Sequence, residues 1–156
     1  MVETNIYTLD DNLYLTKSET TSSRDKYKNN WIEEYTYADG YWTKSLCKKY
    51  EDSFSSFTWA NGNMVEIESN NGNMDYEDHT FTYTDKLNKM NINPFWSPNF
   101  SLMKFKGTFS QHLPSSYTES SNSIATFEYT FDSDGYPTKI VETSQRGTIM
   151  IYITYY

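Results

Sequence analysis

Tyr35-Thr36-Tyr37-Ala38-Asp39-Gly40-Tyr41-Trp42-Thr43-Lys44-Ser45 contains everything a β-hairpin needs. Rings alternate with a β-branched hydroxyl residue, an Asp-Gly pair follows, and a second run rich in rings and β-branched residues leads away. Asp-Gly accepts positive φ at low cost and suits the twist of a tight hairpin. Residues i and i+2 of a strand share a face, so Tyr35 and Tyr37 point one way and Thr36 the other.

The same phrase recurs. Aromatic-Thr-aromatic returns as Phe57-Thr58-Trp59, Phe81-Thr82-Tyr83 and Tyr129-Thr130-Phe131, with looser copies at Tyr7-Thr8-Leu9 and Ile153-Thr154-Tyr155. The central threonines are spaced by 28, 22, 24, 48 and 24 residues. The step of 48 holds a masked copy, for which Phe105-Lys106-Gly107-Thr108-Phe109 is the candidate. Turn signals follow the copies at Asp39-Gly40, Asn61-Gly62 and Asp132-Ser133-Asp134-Gly135, and Asn71-Gly72 marks another turn, between Glu66-Ile67-Glu68 and His79-Thr80-Phe81. Two antiparallel strands and a turn fill about 24 residues. The chain therefore reads as one all-β domain over residues 1–156, an antiparallel meander of about twelve strands. A meander of that length is expected to curl into a barrel, half-barrel or rolled sheet with its rings gathered on one face. The strand-like end, Ile149 to Tyr156, is expected to tuck into the sheet.

Composition agrees with a folded domain. Of 156 residues only 37% are apolar, and mean hydropathy is −0.79. Yet there are 15 Tyr, 9 Phe and 4 Trp, whereas disordered chains are poor in rings. Each buried ring removes roughly 150–250 Å² from water, so few side chains suffice for a core. A net charge of −8 argues against nucleic acid as a partner. Apolar stretches are too short for a membrane-spanning helix. The single cysteine, Cys47, excludes an internal disulfide.

Tyr129-Thr130-Phe131-Asp132-Ser133-Asp134-Gly135-Tyr136-Pro137-Thr138-Lys139-Ile140 resembles a tyrosine-aspartate repeat, a motif also found in Rhs-type bacterial shells. Asn93-Pro94-Phe95, then Leu113-Pro114-Ser115-Ser116-Tyr117, then the Asp134–Ile140 phrase appear in the order seen in secreted Bacteroides-type lipoproteins of unknown function with a porin-like repeat domain. The likeness spans roughly Thr4 to Tyr156 and implies a curled β-meander in the cell envelope, at the periplasm or outer-membrane surface. It carries no catalytic residues with it. The start, Met1-Val2-Glu3-Thr4-Asn5, lacks an export signal and a lipidated cysteine, and taken literally is a cytoplasmic start. The envelope reading places any lipid anchor outside this stretch.

Candidate chemistry is sparse. His79 and His112 are isolated, and Cys47 lies on an expected strand as a small buried side chain. No Gly-x-Ser-x-Gly, phosphate-cradling glycine loop or His-Glu-x-x-His occurs. Asp132 and Asp134 resemble the opening of a calcium loop, but the twelfth-position glutamate is missing and Asp also favours turns on its own account. No metal or other cofactor is expected. The rings Trp42, Phe95 and Trp96, beside loops rich in amide and carboxylate groups, are the candidate ligand contacts. The expected function is a non-enzymatic envelope binding module or scaffold, with glycan or protein partners. The alternatives are a lipocalin-like carrier of an apolar ligand and, third, a glycan-acting enzyme.

Overall fold

The computed structural model describes residues 3–22, 31–48, 53–70, 76–91, 109–120 and 122–155. Every regular element among them is a strand: β1 Glu3–Leu9, β2 Leu15–Ser22, β3 Trp31–Ala38, β4 Tyr41–Cys47, β5 Phe54–Ala60, β6 Asn63–Asn70, β7 Tyr76–Leu87, β8 His112–Glu119, β9 Ile124–Phe131, β10 Pro137–Ser144 and β11 Gly147–Tyr152. They form one sheet whose spatial order follows the chain from β1 to β11. The expected all-β antiparallel meander is what forms, with eleven described strands against about twelve expected. The masked repeat copy at residues 105–108 and the Asn71-Gly72 turn lie outside the described residues.

Turn chemistry fixes the register. Asp39 and Gly40 take φ of 52° and 81°, and Asn61 and Gly62 take 50° and 73°. Two successive positive φ values make the hairpin turn whose twist matches the flanking strands. A second kind of turn, five residues long, occurs twice with the same bonds. In Asp10–Tyr14 and in Asp132–Tyr136 the first Asp and the last Tyr exchange a backbone bond of 2.9 Å, from Asp N–H to Tyr C=O. In each, one Asp carboxylate oxygen accepts the N–H of the residue two on and of the Tyr four on, at 2.8–3.0 Å. The fourth position has positive φ in both, 79° at Gly135 and 64° at Leu13.

Two compact units divide the chain, and each has its own core. The first holds β1 to β4 with residues 54–58, 67–70 and 76–77. Leu15, Tyr35, Trp42, Phe57 and Ile67 are buried in it, and the Trp42 ring meets Phe57 at 4.1 Å and Tyr35 at 5.6 Å between centroids. Tyr37 donates its hydroxyl to the Leu15 carbonyl at 2.9 Å. The second unit holds residues 59–66, 78–91 and the described residues from 109 onward. Its core comprises Met64, Phe81, Leu113, Ala125, Phe127, Pro137 and Ile140. Tyr117 lies between Phe81 and Phe127, at 6.4 and 6.1 Å. Tyr83 and Tyr129 donate their hydroxyls to the carbonyls of Met64 and Pro114.

The ring face is confirmed for the inner strands and corrected at the ends. Tyr35, Phe57 and Phe81 are buried while Thr36, Thr58 and Thr82 are exposed, as alternation requires. In β9 Thr130 is exposed between the half-buried Tyr129 and Phe131, as expected, and the same face carries one further ring, the buried Phe127. Tyr7 and Leu9 of β1 are 44% and 37% exposed and carry no core. Gly147 to Tyr152 are exposed on both faces, and residues 153–155 leave the strand after one further bond, Ile153 N–H to Thr138 C=O at 2.9 Å. The strand joins the sheet as expected, by pairing with β10, but it stands last in the order of described strands and stays exposed.

Candidate functional site

The site arises where the ring face of the first unit runs out of rings. Directly opposed residues of paired strands share a face. Glu33 opposes Cys47, Tyr35 opposes Ser45, and Tyr37 opposes Trp42 across β3 and β4. A bulge beside Tyr37 lets Trp42 and Ser45, three residues apart, face the same way. Ser45 in turn opposes Ser55 on β5, so Ser53, Ser55 and Phe57 continue that face. Along each strand the side chains then shrink or turn polar: Tyr35 gives way to Glu33, Trp42 to Ser45 and Cys47, Phe57 to Ser55 and Ser53, Ile67 to Ser69.

The missing volume is a cleft of about 230 Å³ lined by these small residues, with Trp31, Phe54, Asn70 and Glu77 completing the walls. Trp31 is 39% exposed, a ring with one part against protein and another open to solvent. Among the lining side chains, four serine hydroxyls and the Asn70 amide accompany two carboxylates, Glu33 and Glu77, with no cationic group. Tyr35 donates its hydroxyl to Glu33 at 2.7 Å and lies 3.2 Å from the Ser18 hydroxyl, which fixes one cleft carboxylate in place. Burial raises the Tyr35 phenol well above its ordinary range, aided by the Glu33 charge and opposed by the Ser18 bond. At the cleft's end the Cys47 N–H donates to Ser53 C=O at 3.1 Å, tying β4 to the start of β5.

The expected site residues fare differently. Trp42 is 6% exposed and its indole N–H donates to Lys44 C=O at 2.9 Å, so it is a core ring. The reason is the two-residue turn, which puts it opposite Tyr37. Phe95 and Trp96 lie outside the described residues. Asp132 spends one carboxylate oxygen on two backbone N–H groups of its own turn, and Asp134 is exposed beside it. No cluster of three or more His, Cys, Asp or Glu that would hold a metal occurs among the described residues. His112 lies with a ring nitrogen 3.2 Å from the Asn63 amide, and His79 lies 6.3 Å from the Tyr117 ring, in the second unit. Cys47 is half-buried rather than buried, because it stands in the cleft wall.

Trp31 and the serine cluster were missed in the sequence. The signal was there at the start of β5, where Ser53-x-Ser55-x-Phe57 reads small, small, large. No protein-family model matches the chain, and no curated protein matches it. Eight solved chains do. One is the crystal structure of a porin-like protein from Bacteroides uniformis, which superposes with a TM-score of 0.74 at 17% identity. The match covers 96% of this chain and 66% of that one, so the chain spans less than two thirds of its neighbour. The two proteins are similar in fold.

Proposed function

We propose that this chain is a non-enzymatic domain of the cell envelope that binds a glycan or protein partner. The observation that carries the reading is the open cleft of the first unit, where an exposed indole stands among hydroxyl, amide and carboxylate groups. A purely structural sheet has no use for that loss of packing, since filling such a space with apolar side chains adds stability. Likeness in fold to a porin-like protein supports the envelope location. Among the described residues no helix is long and apolar enough to cross a membrane, a statement about helices and not about strands. A lipocalin-like carrier needs an apolar interior of several hundred Å³. The cleft described here is smaller and lined as much by polar as by apolar groups, and so gives the carrier reading no support.

One observation favours the glycan-acting enzyme: Glu33 and Glu77 line the same cleft, as paired glycosidase carboxylates would. The two readings separate by turnover. Purified protein incubated with polysaccharides is expected to release no reducing ends, and release abolished by both Glu33→Gln and Glu77→Gln would establish the enzyme instead. An array of glycans, lipids and envelope proteins tests the main reading. Saturable binding to glycan or protein is the expected result, and silence across the array leaves a scaffold.

A further inference from the structure

From the cleft chemistry we infer the ligand class: a single neutral sugar ring, stacked on Trp31 and hydrogen-bonded by Glu33 and Glu77. The inference rests on the binding-module reading and narrows it. Three features of the cleft select the ligand.

Size comes first. About 230 Å³ falls below the ~300–1,000 Å³ of pockets that hold drug-sized molecules, and corresponds to one small ring unit of a longer chain lying across an open cleft. Polarity comes second. Hydroxyl and amide groups outnumber the carboxylates, so the walls offer both donors and acceptors to a ligand whose rim is itself made of hydroxyls. A cage for a cationic headgroup is built the other way, from several rings around one charge. A flat pyranose face presents C–H groups, and the part-exposed indole of Trp31 is the lining surface suited to cover it.

Charge comes third. Among the described lining residues there are two carboxylates and no cation, in a chain of net charge −8. An anionic sugar would bring a third negative charge beside the two carboxylates, while a neutral sugar donates its hydroxyls to them. Glu33 is held by the Tyr35 hydroxyl through one oxygen, so its position is set before the ligand arrives.

Cys47, the only cysteine in the sequence, stands in the cleft wall and serves as the reporter. The experiment follows alkylation of Cys47 by a maleimide in the presence of neutral oligosaccharides, of uronate-containing oligosaccharides, and of buffer alone. Isothermal titration of the same ligands runs in parallel. Neutral sugars are expected to slow alkylation at least threefold and to bind at least tenfold more tightly than uronates. Trp31→Ala is expected to weaken binding at least tenfold, with Trp31→Phe retaining most of it. Ser55→Leu, which fills the cleft from its floor, is expected to abolish protection in a protein whose far-ultraviolet circular dichroism is unchanged. Binding that is seen on the array but leaves Cys47 alkylation and Trp31→Ala unaffected would overturn the cleft assignment while the binding-module reading stands. Uronates binding as well as neutral sugars would overturn the ligand class. Absence of any binder would overturn both.

Discussion

Phe57 and Ser55 stand two residues apart on one face of β5, yet Phe57 is 6% exposed against Trp42 while Ser55 lines an open cleft. The backbone is the same and the face is the same. Only side-chain size differs, and with it the role: rings that touch make a core, and small side chains in their place leave a site. In a repeat-built sheet, then, function need not come from an added loop. It arises where the repeat's large side chains lapse on a face whose direction alternation has already set.

The largest expected effect acts on several rings of the packed kind at once. Burial raises the phenols of Tyr35, Tyr37 and Tyr129 far above their ordinary range, with nearby negative charge adding to the rise for Tyr35 and Tyr37 and the Tyr83 interaction adding for Tyr129. In the unfolded chain these groups lose their protons near pH 10. Above that pH the unfolded state binds fewer protons than the folded one, so stability is full below about pH 10 and falls as pH climbs toward the folded values. Thermal melts from pH 8 to 12 are expected to show a level stretch and then a steep fall, shallower in Tyr35→Phe. A melting temperature unchanged to pH 12 would mean that these rings are not held as described.

Trp42→Ala comes next. It removes the ring that touches both Tyr35 and Phe57 and is expected to cost about 3–5 kcal/mol in urea unfolding. Ser55→Phe is its counterpart on the cleft side. A ring placed where there is already space is expected to change stability by less than about 1.5 kcal/mol while closing the cleft to ligand. A loss of about 3 kcal/mol or more would show that Ser55 is tightly packed after all.

The smallest effect sharpens the comparison through register, since a slip of one residue would exchange the two faces. The Asp10–Tyr14 and Asp132–Tyr136 turns make the same bonds but differ at their positive-φ residue, Leu13 against Gly135. Leucine there bears a steric cost that glycine does not, and Leu13 is 64% exposed, so little packing is lost with its side chain. Leu13→Gly is expected to leave stability unchanged or raise it by up to about 1 kcal/mol, because relief of the left-handed strain outweighs glycine's extra unfolded-state entropy.

Much of this was legible in the sequence for physical reasons. Alternation with period two, punctuated by Asp-Gly and Asn-Gly, allows one reading of strand faces and one of topology. The burial of Trp42 was readable too, because a two-residue turn at Asp39-Gly40 places it opposite Tyr37. Its place two residues past Gly40 gives it the look of a loop ring, but the register makes it a strand ring. The end copies at Thr8 and Thr154 were not distinguishable from the inner ones, because burial depends on neighbours and a local phrase does not say which strands lie at the ends. The cleft was the least legible feature. It is made by what several strands lack at one level, and no single segment displays that. Trp31 in particular sits outside every copy of the repeat.

The most direct test sets two adjacent residues of β5 against each other, Phe57→Ala and Thr58→Ala, in equilibrium urea unfolding. Phe57 is buried and Thr58 is exposed on the opposite face. The account predicts a loss of about 3–5 kcal/mol for the first and within about 0.5 kcal/mol for the second. Equal losses from the two substitutions would contradict it, because the rings would then not be gathered on one side of the sheet.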